Sequence, residues 1–282
     1  MTNAPYLVLV VGGTGESFPG DSRTAVTGML ANITNNLDPE RFESRWVPYD
    51  AAYGPVTNPV GVAYAESVEK GLSALLARLE DDPRPVVLMG YSQGAAVVST
   101  LLDFLANPNI VGQLKNRIIG AVLLANPNRP QGSDTLGPIP DTSGYGITYD
   151  PAYPTPARVV PTIEVAHPQD AICSADPDSM LRSIARVTEF MSFTNLDKWG
   201  RDVLADAQAI DWMSKVTSFS DVAYQANRFH RAIGEALGYL TGRHTAYNVE
   251  SPKGTSITYT TLSAQWVLAA TNAFERRTQA AA

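Results

Sequence analysis

Short apolar runs alternate with amphipathic stretches along the first half of the chain. Five runs show little polar alternation, which is typical of strands buried on both faces: 6–11, 45–49, 85–89, 118–124 and 158–165. Between residues 60 and 80, leucines and a valine recur at three- and four-residue spacing, which predicts an amphipathic helix. The repeated order of strand and helix predicts an α/β fold with a central five-stranded parallel sheet flanked by helices.

The second half of the chain follows a different pattern. Residues 127–161 contain eight of the 20 prolines, which predicts a long ordered excursion without continuous helix. Residues 176–240 are helical in pattern and carry two apolar stripes: Leu181, Ile184, Val187 and Met191, then Val222, Phe229, Ile233 and Leu237. The first stripe serves either core packing or acyl binding. We therefore expect one domain over 1–282, with a lid-like helical insertion at 171–243, and a C-terminal helix packed on the sheet.

Composition narrows the class of protein. Hydrophobic residues make up 44% of the 282 residues and charged residues 17%, which excludes a disordered chain. The net charge of −7, with no basic block beyond Arg276 and Arg277, argues against nucleic acid as a partner. Because Cys173 is the single cysteine, neither an intramolecular disulfide nor a cysteine zinc cluster can form. No apolar run reaches the length of a membrane span or a signal peptide, so we expect synthesis in the cytoplasm.

A candidate nucleophile follows the third predicted strand. Gly90-Tyr91-Ser92-Gln93-Gly94 has the G-x-S-x-G pattern and lies between a strand and a helix-forming run. That is the context of a nucleophile elbow, in which a strained serine exposes its hydroxyl group. The alternative is a glycine-rich turn in which Ser92 is incidental.

A serine nucleophile needs a base and an acid that orients the base. His244 lies in a loop beyond the last predicted strand and is the candidate base, with His230 and His167 as alternatives. Asp170 follows the fifth predicted strand, where ligand sites of such sheets lie, and is the candidate acid. Asp176 and Asp178 compete with it but fit a helix start better.

Acyl transfer also needs two N–H donors for the oxyanion. The backbone N–H of Gln93 is the first candidate, and that of Thr14, in the glycine-rich loop after the first strand, is the second. The alternative for this loop is phosphate binding, although it has neither the G-x-G-x-x-G spacing nor a P-loop ending. We expect no metal and no cofactor, because these side chains supply the chemistry themselves.

These motifs resemble those of cutinase-like serine esterases. The similarity rests on Gly13-Thr14-Gly15-Glu16 after the first strand and on Gly90-Tyr91-Ser92-Gln93-Gly94-Ala95 at the elbow. Two further segments are similar to the lysin B esterases of mycobacteriophages and related actinobacteriophages: 46–55 and 125–129. The chain departs from that pattern at Ala125, where a glycine is expected, and at Ala171, because Asp170 is not followed by the expected Asp-Pro.

The resemblance implies an α/β-hydrolase fold and a specific substrate. Lysin B enzymes cleave the ester that joins mycolic acids to arabinogalactan, so this chain is expected to act on that cell-wall lipid during phage lysis. It implies synthesis in the host cytoplasm, action at the host envelope and no obligate protein partner. A general lipid esterase acting on shorter acyl esters is the alternative within enzymes. A non-catalytic module that binds nucleotide or envelope is the alternative outside them, since it needs neither Ser92 nor His244.

Overall fold

A five-stranded parallel sheet forms the centre of the structure. The structure is a computed structural model, and it describes residues 4–54, 61–107, 112–137, 144–179, 181–182, 185 and 242–281. The spatial strand order is β2-β1-β3-β4-β5, with every neighbouring pair parallel. The strands are β1 (Tyr6–Val11), β2 (Phe42–Trp46), β3 (Val86–Tyr91), β4 (Ile118–Leu124) and β5 (Thr162–Val165).

Helices cover both faces of this sheet. In the described residues they are α1 (Ala31–Thr34), α2 (Tyr64–Asp81), α3 (Gln93–Leu105), α4 (Gly112–Arg117), α5 (Ala171–Ser174), a 3-10 helix (Arg243–Thr245) and α6 (Tyr259–Ala281). None of these helices has the length and apolar character needed to cross a membrane. The predicted α/β fold with a five-stranded parallel sheet is confirmed.

Alternate residues of β1 face two separate cores. Leu7 and Leu9 pack with the apolar faces of α2 and α3, whereas Val8 and Val10 pack with α1 and α6. Successive side chains of a strand point to opposite faces, so a strand between two helix layers must be apolar throughout. Gly120 of β4 lies against Trp266 of α6, where a Cβ atom would be 2.9 Å from the indole ring. The C-terminal helix therefore packs on the sheet, as its apolar spacing predicts.

Four predicted elements differ in their boundaries from the observed ones. The third strand differs least, at 86–91 rather than 85–89. The second strand is 42–46 rather than 45–49, because it pairs in parallel with β1 from Tyr6 opposite Phe42 to Val10 opposite Trp46. The fifth strand begins at Thr162 rather than at residue 158, after Pro161, which has no N–H group for a ladder. The amphipathic helix begins at Tyr64, four residues later than predicted.

The long excursion and the insertion are described only in part. Residues 127–137 and 144–161 contain neither helix nor strand, apart from two isolated bridges, in agreement with their proline content. Of the first apolar stripe, Leu181 packs with Ile147, Ala175 and Ala185. The other members of both stripes, and His230, lie outside the described residues. The single domain over 1–282 and the insertion at 171–243 stay predictions.

Glu164 of β5 carries a buried carboxyl group. Its side chain accepts hydrogen bonds from Asn126 Nδ2 at 3.0 and 3.2 Å. Burial raises the pKa of Glu164 to about 7, against the lowering effects of the Asn126 hydrogen bond and the charges of Arg158 and Arg129. Because the folded-state pKa is raised, this group favours the folded state below its unfolded pKa and loses that contribution as pH rises towards 7.

We expect Glu164→Gln to remove this pH dependence. Glutamine keeps an acceptor for Asn126 but carries no proton to lose. From pH 5 to pH 8 the wild type should lose on the order of 1–3 kcal/mol relative to the variant, at about 1.4 kcal/mol per pKa unit. Urea unfolding at the two pH values measures this, with exposed Glu40→Gln as the matched control. An equal loss in wild type and Glu164→Gln would contradict the assignment.

Candidate active site

Ser92 lies in a strained turn between β3 and α3. Its φ is 53° and its ψ is −119°, a conformation that few non-glycine residues adopt. The glycines of the motif make the turn possible. A side chain on Gly94 would collide with the carbonyl oxygens of Val11 and Gly12, and one on Gly90 would collide with the backbone of Gly94. The strand and the helix therefore approach closely enough to hold the serine hydroxyl at the edge of the sheet.

Hydrogen bonds connect the three predicted catalytic side chains. Ser92 Oγ lies 2.9 Å from His244 Nε2. His244 Nδ1 lies 2.9 Å from Asp170 Oδ2 and 3.1 Å from Asp170 Oδ1. Ser92 follows β3, Asp170 follows β5, and His244 lies in the 3-10 helix. Separate parts of the chain therefore meet at one edge of the sheet. The structure brings these residues together, and their catalytic roles stay a prediction.

The surroundings of Asp170 keep it ionised. Burial by itself would raise its pKa, but three favourable contacts outweigh burial and hold the pKa below its usual value: the facing imidazole of His244, the hydroxyl of Tyr247, and the N–H of Ile172. Tyr247 Oη donates to Oδ2 at 2.7 Å, and Ile172 N donates to Oδ1 at 3.0 Å. An ionised carboxylate only accepts, so Nδ1 of His244 is the donor and Nε2 accepts the serine proton.

Tyr91, directly before the nucleophile, holds the base from one side. Its ring stacks on the His244 imidazole with centroids 5.3 Å apart and planes 25° apart. Its hydroxyl group donates to the backbone oxygen of His244 at 2.9 Å. Gly242, with φ 84°, turns the chain into the 3-10 helix that presents His244. The orientation of the imidazole is thus fixed by its ring face, its backbone and Asp170.

The alternative residues have other roles in the structure. His167 Nδ1 accepts the Gln169 N–H at 3.0 Å, and its Nε2 lies 2.8 Å from Glu250 Oε2, so both ring nitrogens are occupied away from Ser92. Asp176 accepts the N–H of Asp178 in a turn after α5. Asp170 caps α5 and also contacts His244, so one carboxylate serves both functions.

The loop after β1 lies beside the nucleophile. A Cβ atom on Gly13 would lie 3.2 Å from Ser92 Cβ. Within the loop, the Gly15 N–H donates to Ala51 O at 2.8 Å and the Glu16 N–H donates to Gly13 O at 3.0 Å. No described residue accepts a hydrogen bond from the N–H of Thr14. Among the described residues, that N–H is therefore available to a ligand, as the oxyanion prediction requires.

The side chain of Gln93 joins two loops to α3. Its Nε2 donates to Ala52 O at 2.8 Å, and its Oε1 lies 3.2 Å from Tyr49 Oη. The same Tyr49 hydroxyl donates to Gly12 O at 2.8 Å. The N–H of Gln93 is at the first position of α3, where helix N–H groups have no intrahelical acceptor. Gln93 thus offers its N–H to a ligand and fixes the surrounding backbone.

Sequence reasoning missed Tyr247, Tyr91 and Tyr49 as parts of the site. Two of them had a signal, because Tyr91 lies inside the elbow motif and Tyr49 lies in the segment 46–55 that is similar to the lysin B esterases. Cys173 Sγ lies 3.3 Å from Tyr247 Oη, and burial raises the pKa of its thiol well above the usual range. The buried thiol is therefore an unreactive neighbour of the acid.

This arrangement can perform nucleophilic acyl transfer. Ser92 Oγ can attack a carbonyl carbon while its proton moves to His244 Nε2, and Asp170 stabilises the resulting imidazolium. The N–H groups of Gln93 and Thr14 can stabilise the oxyanion. Within the described residues, no group of three or more His, Cys, Asp or Glu side chains is placed to hold a metal ion. The predicted nucleophile, base, acid and oxyanion donors are all groups of the chain itself.

A family model supports this assignment of the fold. The PE-PPE domain model matches residues 42–211, which is more than half of the chain. The chain belongs to the PE-PPE domain family. The matched range includes Ser92 and Asp170, whereas Thr14 and His244 lie outside it. No curated protein matches this PE-PPE domain protein.

Solved structures are similar in fold. Lysin B from Mycobacteriophage D29 is 20% identical, with 94% of this chain and 98% of that chain covered and a TM-score of 0.52. An acetyl xylan esterase is 19% identical over 73% of this chain and 98% of that chain, with a TM-score of 0.47. A cutinase-like protein from Cryptococcus sp. is 23% identical over 62% and 82%, with a TM-score of 0.42. The resemblance to the lysin B fold is confirmed, and the PE-PPE domain protein has an α/β-hydrolase fold.

We expect different losses of activity when His244 and His167 are each replaced by alanine. His244→Ala should lower kcat/KM for a nitrophenyl ester by at least about 10³-fold, because a nucleophile and its base act as one unit. His167→Ala should lower it by less than about 10-fold, because its hydrogen bonds are made to Gln169 and Glu250. Steady-state kinetics of both folded variants measures the difference. The reverse order would make His167 the base.

Tyr247→Phe tests the support of Asp170. Loss of the hydroxyl donor should lower kcat by about 10-fold, equivalent to ~1.4 kcal/mol, and should move the acid limb of the kcat/KM profile to higher pH. Tyr259→Phe is the matched control, because Tyr259 packs beside Tyr247 at 5.4 Å between ring centroids. A Tyr247→Phe profile that superimposes on those of the control and the wild type would show that the hydroxyl does not support Asp170.

Proposed function

We propose that this protein is a serine esterase that hydrolyses the ester between mycolic acids and arabinogalactan. The main support is that Ser92, His244 and Asp170 are connected by hydrogen bonds at the edge of the sheet. The backbone N–H groups of Gln93 and Thr14 have no acceptor among the described residues. In the first step Ser92 Oγ bonds to the ester carbon, and its proton passes through His244 to the departing sugar oxygen. In the second step the oxygen of a water molecule bonds to the acyl carbon while His244 takes a proton from that water. The bond from the acyl carbon to Ser92 Oγ then breaks, His244 returns the proton to Ser92 Oγ, and the free acid leaves.

Exposed apolar side chains on two loops of the site support a lipid substrate. Phe18, in the loop that carries Thr14, is 54% exposed, and Val249, in the loop that carries His244, is 71% exposed. Both loops meet at Ser92, through Gly13 and His244 respectively. Exposed apolar side chains on the loops that contact the proposed nucleophile are compatible with an acyl chain as substrate. A mycolic acid has two long apolar branches.

The choice of a mycolyl ester is supported by the fold of lysin B. That protein is covered over 98% of its length, so the likeness extends beyond the central sheet. With the similar segments at 46–55 and 125–129, this favours a phage product made in the host cytoplasm that acts at the host envelope during lysis. Such a role requires access to the cell-wall lipid and no obligate protein partner.

Chromatography of released lipid tests the substrate. Wild type incubated with purified mycolyl-arabinogalactan-peptidoglycan should release free mycolic acids, and Ser92→Ala should release none above background. Nitrophenyl esters should also be cleaved by wild type, because their good leaving group makes few demands on the pocket. A phosphonate probe should label Ser92, as read by mass spectrometry.

The outcomes of this assay separate the alternatives. Brisk hydrolysis of nitrophenyl esters without mycolate release from accessible cell wall would contradict the mycolyl ester as substrate. It would support the general lipid esterase instead. Absence of both activities and of the phosphonate adduct, in a folded protein, would leave a non-catalytic binding module.

A further inference from the structure

Glu16 spans two backbone N–H groups beside the catalytic serine. One carboxylate oxygen accepts from Gly13 N at 2.7 Å, and the other accepts from Met29 N at 2.9 Å. Gly13 belongs to the loop that faces Ser92, and Met29 directly precedes the segment that leads into α1. A single side chain therefore connects the loop after β1 to the packed layer beneath it.

Two glycines, Gly28 and Gly12, leave the space that the Glu16 carboxylate occupies. A Cβ atom on Gly28 would lie 2.6 Å from Glu16 Cδ, and one on Gly12 would lie 3.0 Å from Glu16 Oε2. Gly28 also has φ 69°, which glycine adopts at little cost. Arg23 Nη2 donates to the backbone oxygen of Glu16 at 2.6 Å, and Arg23 is itself paired with Asp21. Side chain and backbone of Glu16 are thus both fixed.

Glu16 determines which N–H of the loop is left for a ligand. It occupies the N–H of Gly13, while the N–H groups of Gly15 and Glu16 itself are occupied by backbone oxygens. The N–H of Thr14 is the remaining donor between them. Without the Glu16 carboxylate, the Gly13 N–H would lose its acceptor, and the loop would lose its attachment to Met29.

We propose that Glu16 is a positioning residue for the oxyanion hole, which presets the Thr14 N–H by holding the peptide groups on either side of it. This inference rests on the proposed serine esterase function. An oxyanion hole stabilises the transition state only if its donors are fixed before the reaction. Loss of Glu16 should therefore affect the tetrahedral state much more than substrate binding.

Glu16→Gln is the test. The amide oxygen can accept one N–H, but the amide nitrogen meets the other N–H as donor against donor. We expect kcat for a nitrophenyl ester to fall by about 10- to 100-fold, with KM changed by less than about threefold, since removal of a whole oxyanion donor costs about 10²–10³. The Ki of an alkyl trifluoromethyl ketone, which forms a tetrahedral adduct with the serine, should rise by the same factor as kcat falls.

Asp38→Asn is the matched control. Asp38 is an exposed carboxylate that accepts the Glu40 N–H in a turn before β2, so the variant loses the same charge without contact to the site. It should keep the wild-type kcat, KM and ketone Ki. If Glu16→Gln fails to fold, Gly28→Ala takes its place, because a methyl group there displaces the carboxylate while Glu16 itself is retained.

The readouts separate this inference from the proposed function. A kcat for Glu16→Gln at or above the wild-type value overturns the role of Glu16, and so does a fall in kcat without a matching rise in ketone Ki. In either case, wild-type hydrolysis and its loss in Ser92→Ala still support the esterase. Inactive wild type that forms no phosphonate adduct overturns the esterase, and the inference with it.

Discussion

The close contact between the first turn of α3 and the end of β1 is the constraint on which the site depends. Gly94 lies against the carbonyl oxygens of Val11 and Gly12, with no room for a side chain. This contact places the N-terminus of α3 at the edge of the sheet and forces the strained backbone of Ser92. It also brings Gly13 beside Ser92, so that the predicted nucleophile and the predicted oxyanion donors depend on one packing contact. The strain is retained because both flanking elements lie in the core.

The predicted acid, Asp170, and the predicted base, His244, depend on a second set of contacts, between segments distant in sequence. Glu250 pairs with His167, in the loop before Asp170, and with Arg243, next to His244. Tyr247 donates to Asp170 and accepts the N–H of His167 at 3.1 Å. Burial lowers the pKa of His167, so its contact with Glu250 is a hydrogen bond, and the ion pair of Glu250 is with Arg243. The loops that carry the predicted acid and base are therefore joined by hydrogen bonds. Burial of Asp170 then strengthens its attraction for the imidazole, since little water screens the pair.

Those parts of the fold and of the site that depend on a local sequence pattern are the parts that could be predicted. Apolar runs on both faces indicate the central strands, and β4 agrees at both ends with the predicted 118–124. The elbow motif predicts Ser92 because glycines and a strand-to-helix change are local. The edge strand β2 and the start of β5 differ, because pairing with a neighbour and Pro161 decide them. Tyr247 could not be predicted, because it is 77 residues from Asp170 in the sequence. Its hydroxyl group contacts Asp170 only in the folded chain, where the two loops come together.

The two departures from the lysin B pattern leave the site geometry intact for identifiable reasons. Ala125 follows β4 with φ 53°, the left-handed conformation for which a glycine is expected. Alanine adopts it at a cost of ~1–2 kcal/mol. Its N–H still donates to Val165 O at 2.9 Å, which helps hold β5 and the acid loop in register. At the second departure, Asp170 caps α5 through the Ile172 N–H. Because the cap needs that N–H and not a particular side chain at position 171, Ala171 leaves the carboxylate facing His244.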